Sequence, residues 1–332
     1  MAISKRILFL GGTGAISWSC ATLAVQLGHR VTVVNRGHSH RRPTPEGAER
    51  LVADVRNPDE LRSVLAGREF DAVADFLSFT PEHVRTALDV FERRTGQYVF
   101  VSSASAYQTP PSRVPVTEST PLTNPYWQYS RDKIACEELL VSAVRERRLP
   151  ATIVRPSHTY DAVLLPTLGA WTDVVRMRAG KPVVVHGDGT TQWTLTHARD
   201  FAVAFVGLLG NPLAVGDVFH ITGDHAPTWD QIYTWLGHAA GVEPDLVHVA
   251  SETIGRALPD LLPGLIGDKA HSMVFDNSKV KSLVPAFSTT TSYWEGAAEQ
   301  VAWYDAHPEA QLVDPRLDAA FDRLAAHARA EF

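Results

Sequence analysis

The feature that most constrains this chain is its opening stretch, Lys5 to Val34. An apolar run (Arg6 to Leu10) ends in Gly11, Gly12 and Gly14, passes into a helical segment, and returns as a second apolar run (Val31 to Val34). Glycines that close a buried strand let the backbone turn at positive φ and approach a ligand closely. The helix behind them offers unpaired N–H groups and the positive end of its dipole to a diphosphate. Gly11, Gly12, Thr13, Gly14, Ala15 and Ile16 are therefore the expected phosphate cradle. The spacing Gly11-x-x-Gly14-x-x-Ser17 differs from the G-x-G-x-x-G of long-chain dehydrogenases, and by itself it also fits a plain strand-to-helix turn.

Past the second strand come Asn35, Arg36 and Gly37, then His38, His40, Arg41 and Arg42. Where a dinucleotide binds, a carboxylate at this strand end accepts from the ribose 2′-hydroxyl, whereas arginine accommodates a 2′-phosphate. The acid is absent and Arg36 stands beside its place, so NADP is expected over NAD. A third strand follows at Leu51-Val52. Asn57, Pro58, Asp59 and Glu60 then supply an N-cap, a first-turn proline and two acids, a helix start. Ala72 to Phe76, a helix opened by Thr80-Pro81, and Tyr98 to Ser102 continue the alternation. The economical architecture is α/β, a doubly wound parallel sheet with ligands at the carboxyl ends of its strands. Phe76, Leu77, Ser78 and Ser102 sit at such ends, as do Pro156 and His158 after a sixth strand.

On the helix expected from Tyr126 to Arg147, Tyr129 and Lys133 are four residues apart and share one face. A phenol with an ordinary pKa of about 10 is a poor proton shuttle at neutral pH, and an adjacent ammonium favours its phenolate. A serine hydroxyl such as Ser103 can hold the substrate oxygen that gains or loses the proton.

These residues, with Arg155-Pro156-Ser157-His158-Thr159-Tyr160, and Gly187-Asp188-Gly189 leading to His197 and Asp200, resemble the extended short-chain dehydrogenase/reductase family, the sugar-nucleotide epimerases and dehydratases. The likeness spans roughly the first two-thirds of the chain. It implies a Rossmann-type domain over residues 1–160, to which later segments return, and a smaller, interleaved substrate-binding domain over 161–332. It implies Tyr129 as acid/base, Lys133 as ribose-binding and as lowering the tyrosine pKa, Ser103 on the substrate oxygen, and Asp54 and Val55 near adenine. Ser78, Ser103, Ser105, Tyr129 and Trp193 are the expected substrate contacts. It also implies a homodimer through the helices holding Arg85 to Arg93 and Tyr129 to Arg147. Departures matter as well. Ser17 stands for the third glycine, Ala104-Ser105 for the acid pair of dehydratases, and Trp193 for an arginine that grips a diphosphate. Tryptophan stacks but cannot neutralise a phosphate.

Three readings remain open. One is an epimerase acting on a sugar or sugar nucleotide through transient oxidation. A second is an NADPH-dependent reductase or dehydrogenase of a non-nucleotide ketone or alcohol. The third is a non-catalytic dinucleotide sensor or RNA-binding relative. A net charge of −6 argues against nucleic acid or an anionic membrane as partner. The expected partner is a small molecule. No secretory signal or bilayer-spanning run is visible, so a cytoplasmic protein is expected. The two cysteines, Cys20 and Cys136, read as buried small hydrophobes. The spacing of His158, His197, His220, His225 and His271 matches no metal-ligand motif, and no metal site is expected.

Overall fold

The strands run in chain order as β1 (Arg6–Leu10), β2 (Arg30–Asn35), β3 (Glu49–Val52), β4 (Ala72–Asp75), β5 (Tyr98–Val101), β6 (Ala151–Pro156), β7 (His158–Tyr160), β8 (Val183–His186), β9 (Leu195–His197), β10 (Val218–Ile221) and β11 (Leu246–Val249). The computed structural model describes residues 4–37 and 42–330. His38, His40 and Arg41 lie outside the described residues. Seven strands form one sheet in the order β3-β2-β1-β4-β5-β6-β10. Every neighbouring pair in it is parallel. Leu10 of β1 is in register with Val34 on one side and Asp75 on the other, so the carboxyl ends of β1 and β4 open together where the strand order reverses. That reversal creates the crevice in which such sheets bind ligands.

Side chains alternate across a strand, and both faces here are covered. Ile7, Phe9 and Val33 pack with Ala21, Ala24, Phe201 and Phe205 on one side. These come from α1 (Ala15–Gln26) and from the helix Ala198–Leu208, which lies against it. Leu8, Leu10, Val73 and Phe100 pack on the other side with Val84 and Leu140. Those belong to α3 (Pro81–Phe91) and α4 (Gln128–Arg145), which follow α2 (Pro58–Val64) in the chain. Local chemistry sets the starts. Asn57 accepts from the N–H groups of Asp59 and Glu60, and capping boxes at Thr228/Gln231 and Ser292/Glu295 open two later helices.

The later chain adds two small parallel sheets, β8 with β11 and β7 with β9. Pairing of His158 with Leu195 brings the end of β6 beside Trp193. The helix Trp171–Arg178 begins no earlier because the chain enters it through Ala170 at φ 49, a left-handed conformation that interrupts a helix. The alanine-rich face of the last helix, Pro315–Ala330, is covered by this same chain. Ala320, Phe321 and Leu324 pack with Val184, Val247 and Val249 of β8 and β11.

One buried ion pair fixes α4 to the sheet. Glu137 (3% exposed) takes Arg155 of β6 (4% exposed) through Nη2 at 2.5 Å and Nε at 3.0 Å, and also accepts from Ser102 Oγ at 2.5 Å. Removing one partner strands the other charge in the core. Glu137→Ala is expected to cost about 3–5 kcal/mol of stability, read from the midpoint of urea unfolding. The double change Glu137→Leu with Arg155→Met should recover most of that loss, and a single variant as stable as the parent would refute this account.

Candidate active site

The crevice opens into a cleft of about 800 Å³ whose wall includes Gly11, Thr13, Gly14, Ile16, Asn35, Arg36, Asp54, Val55, Phe76, Leu77, Ser102, Ser103, Ser105, Tyr129, Lys133, Pro156, His158 and Trp193. The glycine turn is built for close approach. Gly11 sits at φ +116, and a Cβ there would stand 3.5 Å from Phe76 and Leu77, at the cleft wall. Gly12, at φ +88, faces the sheet instead, where a Cβ would fall 2.7 Å from Val33 Cγ1. Neither Gly12 nor Ala15 lines the cleft; they shape the turn that does. Ser17 fits in place of the third glycine by taking the Gly14 N–H on its Oγ at 3.0 Å. The remaining N–H groups of the first turn of α1 have no intrahelical partners and suit an anion. A diphosphate therefore fits this turn.

At the far end of β2, Asn35 Oδ1 is occupied by the Gly37 N–H at 3.0 Å, so Arg36 and Arg56 are the cations of this end of the cleft. Among the described residues no carboxylate pairs with either. Asp54 takes the Arg56 N–H at 3.0 Å. Arg42 is drawn away by Asp161.

At the middle of the cleft, α4 carries Tyr129 and Lys133. Lys133 is 2% exposed; its Nζ donates to the carbonyls of Ser78 at 2.7 Å and Val101 at 2.8 Å and lies 4.7 Å from the ring centres of Phe79 and Phe100. An ammonium has three protons, so one remains for a ligand. Burial pulls its pKa down to about 8. Ser78, an expected substrate contact, does not line the cleft. Its hydroxyl donates to Asp75 Oδ2 at 2.5 Å, and its contribution is the carbonyl that holds Lys133.

Ser103 favours the phenolate of Tyr129, but burial dominates and raises the phenol above its ordinary range. The ammonium lies 5.8 Å from the ring centre, turned towards the two carbonyls, and does not offset this desolvation. In this structure Tyr129 is thus a proton donor. Behind it runs a chain of hydroxyls: Ser130 Oγ donates to Ser105 Oγ at 2.8 Å, which stands 2.9 Å from Ser103 Oγ. Ser103 Oγ also accepts the Ser105 N–H at 3.2 Å; when the Ser105 hydroxyl donates to it as well, the Ser103 proton is left for an oxygen in the cleft. Ser105 acts on Ser103 through this chain.

Trp193 is buried at 3% exposure, and its Nε1–H donates to His158 Nδ1 at 2.9 Å. Its polar atom is spent, leaving the ring face for a ligand. Because an indole N–H only donates, His158 must carry its proton on Nε2. Burial and the charge of Lys269 lower its pKa to about 3.

Sequence reasoning missed Asn124, Trp127, Phe79 and Asp268. All but Asn124 line the cleft, and none belongs to a local motif. Asn124 is 2% exposed and is the hub: its Nδ2 donates to the carbonyls of Ser105 (2.9 Å) and Gly267 (2.6 Å), and its Oδ1 accepts from the N–H groups of Tyr126 and Trp127 at 3.2 Å each. Two other histidines are held by contacts away from this cleft. His197 meets Glu299 at 3.0 Å, and His220 lies between Tyr107 and the Asp276 carbonyl. Among the described residues no group of three or more His, Cys, Asp or Glu is arranged to hold a metal, and no helix is long and apolar enough to cross a membrane.

The His158 assignment is testable by ¹⁵N NMR, which should find a neutral imidazole with bare Nδ1 down to pH 5. Trp193→Phe should abolish this fixed tautomer. Since the unfolded chain takes up this proton below the ordinary histidine value of 6.5 and the folded one does not until about 3, His158 makes stability fall as pH drops through that window.

The sequence model of the NAD dependent epimerase/dehydratase family matches residues 7–222. The chain is similar to 2'-dehydrokanamycin reductase of Streptomyces kanamyceticus, 29% identical over 85% of this chain and 80% of that one. It is also similar to the chloroplast stem-loop binding protein of 41 kDa b of Arabidopsis thaliana, 29% identical over 74% of this chain and 66% of that one. Among solved structures, the epimerase Mth375 of Methanothermobacter thermautotrophicus superposes with a TM-score of 0.78 at 15% identity, covering 93% of this chain and 94% of that one. The strand order, the glycine turn at its reversal and the matched length lead to one conclusion: this chain belongs to the NAD dependent epimerase/dehydratase family, as an NAD(H)-binding enzyme of the extended short-chain dehydrogenase/reductase type.

Proposed function

We propose that the chain is an NADP(H)-dependent reductase or dehydrogenase acting on a non-nucleotide ketone or alcohol. The observation that carries this reading is the distribution of arginines. Among the described residues the cleft is lined by two, Arg36 and Arg56, both at its adenosine end, and none lines the end beyond Tyr129. A nucleotide diphosphate there would lack a bidentate partner, and Trp193 cannot supply one. The similarity to a reductase over most of both chains supports the same reading.

Gly11, Thr13, Gly14 and Ile16 would hold the diphosphate, Arg36, Asp54 and Val55 the adenosine, and Phe76, Leu77, Ser102, Lys133, Pro156 and His158 the nicotinamide half. The dinucleotide, when bound, supplies or accepts the hydride. Tyr129 gives its phenolic proton to the substrate oxygen in the reductive direction, and Ser103 donates a hydrogen bond to that oxygen. Lys133 places its free proton towards the ribose. The division into a dinucleotide-binding part up to about residue 160 and a substrate-binding part beyond it belongs to this proposal. So does a homodimer through α3 and α4, which light scattering after size exclusion tests.

A second reading, an epimerase, draws on the Ser103-Ala104-Ser105 stretch after β5 and would use the same three residues for both oxidation and reduction of one carbon. The stem-loop binding relative raises a nucleic-acid function, against which stand the net charge of −6 and the complete Ser103, Tyr129, Lys133 set.

Tyr129→Phe should lower turnover by about 10²–10⁴-fold while leaving cofactor binding, followed by fluorescence, unchanged. Unaltered turnover would sink the enzymatic assignment of this residue. Arg36→Ala should raise KM for NADPH by roughly tenfold or more and leave NADH almost unaffected. Equal effects on both would remove the preference for NADP.

A further inference from the structure

The proton chemistry above uses Ser103, Tyr129 and Lys133 and leaves one ionisable pair of the cleft without a role. Asp268 and Lys269 end the π-helical turn Leu265–Lys269. Asn124 ties this turn, through the Gly267 carbonyl, to the start of α4 and to the Ser103–Ser105 loop. Its place relative to Tyr129 is thereby set by one buried amide. Both side chains line the cleft, and the Asp268 charge reaches Tyr129, contributing to the raised phenol pKa. Burial holds the Asp268 carboxyl up at about 6, so at neutral pH it is an anion in want of a partner.

The partner it has is informative. Lys269 Nζ stands 3.7 Å from Asp268 Oδ2, longer than a hydrogen bond, and 5.8 and 6.0 Å from the ring centres of Trp193 and Trp127. A carboxylate and two indole faces converge on one ammonium, which is the surrounding that such a group prefers. The Lys269 side chain is 20% exposed and sits on a flexible four-carbon stem. It can therefore yield its place, whereas Asp268, Trp127 and Trp193 are held by the turn, by α4 and by His158.

We propose that Asp268, with the indole faces of Trp127 and Trp193, is a specificity-determining seat for a substrate ammonium group, a seat that Lys269 takes in this structure. The substrate class that follows, resting on the reductase reading of the cleft, is an amine-bearing ketone or alcohol whose reacting carbon lies at Tyr129. The same carboxylate repels a phosphate. Lys269, displaced, is left to donate to a neighbouring hydroxyl.

Binding, which needs no turnover, tests this. The full chain loaded with NADP is titrated by calorimetry with kanamycin as a polyamine probe, with its fully N-acetylated form as the uncharged counterpart, and with UDP-glucose as the anionic one. Kanamycin should bind at least about tenfold more tightly than the acetylated form. Asp268→Asn should erase that preference, and Lys269→Ala should increase it. Opposite signs from adjacent positions cannot arise from misfolding, and retained NADP binding checks each variant. Failure of kanamycin to bind, equal affinity for the acetylated form, tighter binding of UDP-glucose, or a preference that survives Asp268→Asn would each overturn the proposal. The reductase reading is judged separately, by net consumption of NADPH with uncharged ketones, which keeps that reading even when no ammonium preference is found.

Discussion

One face of α4 governs this molecule. Tyr129, Lys133 and Glu137 follow at four-residue intervals, so a single helical stripe carries three ionisable groups under the carboxyl edge of the sheet. Charged groups taken out of water must be satisfied internally. That requirement dictates much of what surrounds them. The turn after β4 presents the Ser78 carbonyl, β5 presents that of Val101, and β6 contributes Arg155, each at the height of its partner on the helix. Asp75 in turn locks the β4 turn by accepting from the N–H groups of Leu77 and Ser78. The polar groups under the cleft therefore orient the sheet-to-helix packing as firmly as its apolar surface does.

The same burial sets the chemistry. Desolvation pushes the phenol up and the ammonium down, so Tyr129 holds its proton and Lys133 approaches the range in which it can titrate. Bringing the phenol back towards neutral pH needs charge from outside the described residues. A bound dinucleotide, cationic at its nicotinamide when oxidised, would supply positive charge beside Tyr129.

The strand order, the glycine turn and the Tyr129–Lys133 face were legible because each rests on short-range periodicity: apolar runs of strand length, capped helix starts, and residues one turn apart. The substrate end was not. Asp268, Lys269 and Asn124 reach the cleft through a turn pinned by Asn124 to a segment far away in sequence, and no spacing records such a contact. Ser78 misled for a related reason. Position at a strand end is readable from sequence, but the direction in which this hydroxyl spends its hydrogen bonds depends on Asp75. Likewise the expectation that Lys133 lowers the tyrosine pKa treats the pair in isolation, whereas the two carbonyls that hold the ammonium and the dryness around the phenol decide the outcome.

Trp193 illustrates how deeply the departure from the arginine pattern is built in. Its indole is stacked on Trp229 with ring centres 5.4 Å apart, its N–H fixes the tautomer of His158, and its face meets Lys269. An arginine at this position would bury a guanidinium against an imidazole that offers a single acceptor and against a second indole, and it would face Lys269 with like charge. The cost of an unpaired buried charge means that a diphosphate grip cannot be restored by that one exchange. His158, Trp229 and Lys269 would have to change with it. The departure from the arginine pattern is thus a property of a packed cluster, in which Trp193, His158, Trp229 and Lys269 are fixed by one another.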